Sequence, residues 1–195
     1  IVSGDFYWFG EVNDLLIAVT ADCTGHGVPG AMLSISGHNI LNRIILEQGN
    51  FELDVILKKL HQELIMLMKT HETKTQDGMD LQIISYHKKT TELKFAGANN
   101  PIYVFSKEST LQKIKGNPIS IGGTQTNINP KFDCQIIPDW SSVFLCSDGY
   151  QDQFGSTDKK FMIGRLKETF EKIKNLDSIE QETQLSEILN VWKGD

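Results

Sequence analysis

Three aspartates stand at the ends of apolar, strand-like runs with glycine close by. They are Asp5 in Ser3-Gly4-Asp5-Phe6, Asp22 in Ala21-Asp22-Cys23-Thr24-Gly25-His26-Gly27, and Asp148 in Cys146-Ser147-Asp148-Gly149. A carboxylate at a strand end is not needed for core packing and can face a ligand. Hard cations such as Mg²⁺ or Mn²⁺ collect several oxygen donors of this kind. The Asp22 stretch also carries Gly25, Gly27 and Gly30, with Pro29 suited to the first turn of a following helix. Two chemistries are open at that point: an anion cradle at a helix N-terminus, and a cation site built on Asp22. A lone carboxylate repels phosphate, which favours a metal that turns the local sign positive.

These acids need a frame. Phe6-Tyr7-Trp8-Phe9 and Leu15-Leu16-Ile17-Ala18-Val19 read as the strands of a hairpin, which brings Asp5 towards Asp22 on one sheet edge. From Pro29 the apolar positions Met32, Ile35, Ile40, Leu41, Ile44 and Ile45 follow helical spacing until Gly49-Asn50 stops them. A second helix is predicted from about Glu52 to His71, with an apolar stripe that includes Leu53, Leu60 and Leu67. Each helix has one apolar face, so both should cover a sheet. His71 to Asp80 reads as a polar connection, after which the period becomes that of strands.

Strands are predicted at 81–86, 93–96 and 102–105, shorter ones at 111–114 and 119–121, and two more at 132–137 and 143–146. Helices over 158–176 and 179–192 close the chain. The order of hairpin, two helices, many antiparallel strands and further helices implies the α+β class. A helix-sheet-sheet-helix (αββα) sandwich with two antiparallel sheets accommodates so long a strand series.

The 195 residues suit one domain, and a net charge of -6 argues against nucleic acid or an anionic membrane as partner. Three cysteines without CxxC spacing support neither a disulfide framework nor a zinc knuckle, so a reducing cytoplasm is the simplest compartment. No run approaches the roughly 18 apolar residues of a membrane span, and membrane contact by this domain is not expected. A longer parent protein tethered to a membrane is compatible with that reading. His38, His61, His71 and His87 are scattered without ligand spacing.

Five motifs in order carry a resemblance: Ser3 to Trp8, Ala21 to Gly30, Asp77-Gly78-Met79-Asp80, Gly97-Ala98-Asn99-Asn100-Pro101 and Ser147-Asp148-Gly149. Together they resemble the SpoIIE-like branch of the metal-dependent PPM/PP2C protein phosphatases, which includes the RsbU-type regulators of bacterial stress sigma factors. The resemblance implies a PP2C-like fold with two Mn²⁺ or Mg²⁺ ions between two sheets. It implies that Asp22 bridges both ions, that the Cys23 carbonyl ligates one of them, and that Asp5 binds directly or through water. Asp148 would ligate the second ion, and Asp77 or Asp80 would help to hold a third, weaker one.

The implied reaction is attack of metal-activated water on phosphoserine or phosphothreonine of a signalling protein, such as an anti-anti-sigma-type regulator. No cysteine nucleophile is required. His26 has two roles open, protonating the leaving serine oxygen or pinning the loop. Asn99 and Asn100 are expected to shape a turn. The implied partners are the phosphoprotein substrate and an upstream sensor or dimerising region of a longer chain. The family usually closes with a strand preceded by an Asp-Asp pair, whereas this sequence stops at Trp192-Lys193-Gly194-Asp195. The expectation is therefore a single domain over 1–195 that lacks its first and last strands. A non-catalytic PP2C-fold signalling module that binds a partner without turnover is the competing expectation.

Overall fold

The computed structural model describes residues 4–25, 27–69, 77–123 and 128–194. Their packing divides into two compact units, Ile1–Ile102 with Ile114–Pro138, and Tyr103–Lys113 with Asp139–Asp195.

The first unit is built on the predicted hairpin. Strand β1 (Phe6–Val12) pairs antiparallel with β2 (Leu15–Cys23), and β2 pairs in turn with β3 (Gly78–His87). Strand β4 (Leu93–Ala98) then joins β3, β8 (Gln135–Ile137) joins β4, and the short β7 (Ile121–Gly122) also lies on β3. Alternation along β2 places Ile17, Val19, Ala21 and Cys23 in the core, as the period-2 pattern requires.

Helix α1 (Gly27–Asn42) and helix α2 (Leu53–Lys69) cover this sheet. Between them Arg43–Glu47 forms a wider π-helical turn whose Arg43 pairs with Glu63 of α2. The buried face of α1 differs from the expected stripe. Leu33, Gly37, Ile40 and Leu41 are buried, while Met32 and Ile35 are 65% and 61% exposed. A Cβ on Gly37 would lie 2.8 Å from Met79 Cε and 3.0 Å from Phe6 Cζ, so the helix approaches the sheet on a glycine. Hydrophobic periodicity is blind to such a contact. Trp8 Nε1 donates to Asn42 Oδ1 at 2.7 Å and ties the hairpin to the end of α1.

Two other boundaries move for local reasons. Asp80, expected in the polar connection, lies inside β3 opposite Asp22. The strand expected at 132–137 begins only at Gln135, because Asp133 turns to Asn117: its N–H donates to Asn117 Oδ1 at 2.8 Å and its Oδ2 accepts from Nδ2 at 3.0 Å.

The second unit has a three-stranded antiparallel sheet in the order β6 (Leu111–Ile114), β5 (Ile102–Ser106), β9 (Trp140–Phe144). Strand β9 stops short of Cys146 because its ladder with β5 ends at the pair of Tyr103 and Phe144. Helix α3 (Met162–Ile173) packs Leu166, Phe170 and Ile173 into an aromatic core, where Phe170 stacks on Phe144 at 4.4 Å. Helix α4 (Ser178–Lys193) starts with a capping box: Asp177 accepts from Glu180 N, and Glu180 accepts from Asp177 N. It has no fully buried side chain. Among the described residues, two antiparallel sheets and four α-helices make up the predicted α+β class. Among the described residues no helix is long and apolar enough to cross a membrane.

Candidate metal centre

The last registered pair of the hairpin is Phe6 with Ala21, so Asp5 and Asp22 stand one step beyond it on adjacent strands. The backbone here is packed to contact. A Cβ on Gly4 would lie 3.1 Å from both the Cβ and the carbonyl oxygen of Cys23, and one on Gly30 would lie 2.8 Å from the Gly25 carbonyl oxygen. Glycine at these positions lets the start of β1, the end of β2 and the first turn of α1 share one small volume. Thr24 fixes the far side of the turn. Its N–H donates to the Gly78 carbonyl at 2.8 Å, and its Oγ1 accepts from Gly78 N, also at 2.8 Å.

Asp22 alternates with the buried Ala21 and Cys23, so its carboxylate leaves the opposite face of the sheet. The Cys23 thiol is pushed up to about 12, first by burial and then by the negative charges of Asp22 and Asp5. Both carboxylates therefore act on the same residue. The thiol is neutral at physiological pH and is no nucleophile.

Asp80 pairs with Asp22 across the ladder. Its Oδ2 accepts from Asn99 Nδ2 at 2.7 Å and its Oδ1 accepts from Ser120 Oγ at 2.5 Å. Asp77 precedes β3 half-buried, and its carbonyl accepts from Gly123 N at 2.8 Å. Asn99 does shape a turn, with φ of 57° and its N–H on the Asn117 carbonyl.

Asp148 belongs to the second unit, past the end of β9, where it is exposed and its carbonyl accepts from Asp152 N at 2.9 Å. The nearby Cys146 thiol is pushed up to about 11 by burial and by Asp148, with Lys113 opposing. His26 lies outside the described residues, as does His71. His61 is fully buried and its Nδ1 accepts from Gly122 N at 3.1 Å, a structural role.

Asp5, Asp22 and Asp80 thus come to one sheet edge. Among the described residues no three His, Cys, Asp or Glu side chains close into a metal-holding group. Thr24 and Ser120 are the positioning residues that sequence reasoning missed. A hydroxyl just after a strand end is a weak signal for Thr24, and nothing local singles out Ser120.

The family described as stage II sporulation protein E (SpoIIE) matches residues 13–190. No curated protein matches the sequence. Among solved structures, the SiaA-PP2C domain of Pseudomonas aeruginosa aligns at 25% identity with a TM-score of 0.84, over 100% of this chain and 76% of that one. The PP2C phosphatase domain of SpoIIE from Bacillus subtilis, solved with a fragment of its regulatory domain, aligns at 19% identity. Its TM-score is 0.66, over 97% of this chain and 53% of that one. RsbX in complex with magnesium aligns at 12% identity with a TM-score of 0.64, over 98% and 81%. The last two likenesses speak for the fold alone.

Proposed function

This chain belongs to the SpoIIE family and has the PP2C phosphatase-domain fold; from that premise we propose that it hydrolyses phosphoserine or phosphothreonine on a signalling protein with the help of Mn²⁺ or Mg²⁺. The observation that carries the reading is the convergence of Asp5 and Asp22 on Cys23 at the edge where β1, β2 and α1 meet. Carboxylate and carbonyl oxygens are the donors that such hard cations select, so the residues present fit the ions.

In this reading Asp22, Asp5 and the Cys23 carbonyl would hold the ions, and Asp148 would supply a further carboxylate oxygen to them. Asp77 contributes to a third, weaker ion. When bound, the ions supply a lowered pKa for the attacking water and neutralise charge on the phosphate oxygens. The chain's own residues hold that arrangement still: Gly4 and Gly30 allow the close approach, and Thr24 locks the turn onto β3. His26 is the candidate proton donor to the leaving serine oxygen.

The substrate class proposed is phosphoserine on a small regulator of the anti-anti-sigma type. The module is proposed to act under the control of a sensor or dimerising region in a longer chain. The domain of SpoIIE from Bacillus subtilis was itself solved with part of a regulatory domain.

The test is hydrolysis of a phosphoserine peptide by the wild type and Asp22→Asn, with Mn²⁺ and after chelation. Activity that needs Mn²⁺ and disappears in Asp22→Asn is the expected result. Equal activity of the two proteins, or activity that survives full chelation, sinks the reading. Partner binding with neither Mn²⁺ uptake nor turnover would instead favour the non-catalytic module.

A further inference from the structure

Asp80 and Asp22 are partners on the β2–β3 ladder, so their carboxylates leave the same face at neighbouring positions. Like charges placed this way repel. Each Asp80 oxygen is met by a donor from a different segment. Asn99, just past β4, donates to Oδ2 at 2.7 Å, and Ser120, just before β7, donates to Oδ1 at 2.5 Å. One carboxylate therefore fastens two loops to β3.

Those two loops also hold each other. A Cβ on Gly116 would lie 2.5 Å from the carbonyl carbon and oxygen of Gly97, so the segments lie backbone on backbone. Asn117 N donates to the Gly97 carbonyl at 2.8 Å, and the Asn117 carbonyl accepts from Asn99 N at 2.7 Å. Asn117 passes the connection on to Asp133 through its side chain. The cluster is a closed hydrogen-bonded block, and Asp80 is the point at which it meets the ladder residue next to Asp22.

We propose that Asp80 is a positioning residue rather than an ion ligand: it pins the Asn99 turn and the Ser120 loop against β3 and so fixes the end of the ladder that carries Asp22. Its metal arm rests on the phosphatase reading above, while its structural arm does not. An amide at this position would accept from Asn99 and donate to Ser120, which keeps both links and removes the charge. A methyl group would keep neither. Outer-shell groups of this kind tune a metal site without being counted among its ligands.

The experiment compares wild type, Asp80→Ala, Asp80→Asn and Ser120→Ala by Mn²⁺ calorimetry, phosphoserine-peptide kinetics and hydrogen exchange over residues 97–101 and 115–122. Asp80→Ala and Ser120→Ala are expected to lose exchange protection in both segments. They should also raise the half-saturating Mn²⁺ concentration about 10- to 100-fold, with the number of bound ions and kcat at saturating Mn²⁺ unchanged. Asp80→Asn should keep its protection and stay within about threefold of wild type in Mn²⁺ dependence.

Loss of one bound ion in both Asp80 variants, with Ser120→Ala normal, would make Asp80 a ligand and overturn the proposal. Unchanged exchange in Asp80→Ala would overturn it too. A wild type that neither binds Mn²⁺ nor hydrolyses the peptide would fail the phosphatase reading instead, and the exchange result would still decide the pin.

Discussion

Asp22 and Asp148 each stand within two residues of a cysteine at the end of an apolar run, yet the chain holds them differently. Asp22 and Cys23 remain inside β2, with Asp80 and Met79 as ladder partners and the start of β1 on the other side. Strand β9 ends at Phe144, and Asp148 follows in an exposed turn whose carbonyl is bonded by Asp152 N–H. Ladder pairing fixes the backbone under a carboxylate, whereas a turn leaves it room to adapt. In the proposed chemistry the ladder would hold the acid shared by both ions, and the turn would hold the acid that serves one.

The sharpest way to break that contrast is to neutralise each acid in turn. Asp22→Asn is expected to lower peptide hydrolysis about a thousandfold, equivalent to roughly 4 kcal/mol of transition-state stabilisation. Its thermal midpoint without metal should be unchanged or slightly higher, because a like-charge pair with Asp80 is relieved. Asp148→Asn should cost less, about thirtyfold, and most of the loss should be recovered by raising Mn²⁺. Equal losses in the two variants would erase the distinction between a bridging and a one-ion acid.

A structural probe of the same contrast is Gly30→Ala. Its Cβ would meet the Gly25 carbonyl oxygen at 2.8 Å, and backbone on both sides leaves nothing to swing away. A loss of ~1–3 kcal/mol in urea unfolding is expected.

The smallest effect expected is in the alkaline range. A thiol whose folded pKa is raised keeps its proton longer in the folded state. Its contribution to stability is therefore complete below the ordinary thiol value of 9.0 and is lost as pH rises towards about 12 for Cys23 and about 11 for Cys146. Cys23→Ser should flatten the decline of stability above pH 9 more than Cys146→Ser does, and neither should alter the pH profile of hydrolysis at neutral pH.

Much of this was legible in the sequence for definite reasons. Alternation in Leu15–Cys23 and the polar turn expected over Gly10 to Asp14 specify the hairpin, which brings Asp5 towards Asp22, although β1 runs on to Val12 because Gly10, Glu11 and Val12 pair with Ile17, Leu16 and Leu15. The segregated order of helices and strands specifies the α+β class. What escaped depends on partners distant in the chain. Asp80 reads as loop because charged residues are poor strand formers, and only donors from Asn99 and Ser120 reveal why it stays in β3. The buried face of α1 departs from its apolar period because its closest approach to the sheet runs through Gly37, where a missing side chain makes the contact. Thr24 escaped because its partner Gly78 lies across the intervening helices.

That last bond has a consequence for the order in which the molecule assembles. The β1–β2 hairpin closes over a two-residue turn, but Thr24 and Gly78 are 54 positions apart, with both helices between them. Closing so long a loop has an entropic cost that the local hairpin does not carry. Asp22 therefore meets Asp80 only after α1 and α2 have folded back onto the sheet. In a refolding time course the hairpin amides should gain protection first and the Thr24–Gly78 clasp late, so the acidic edge is among the last parts of the first unit to become whole.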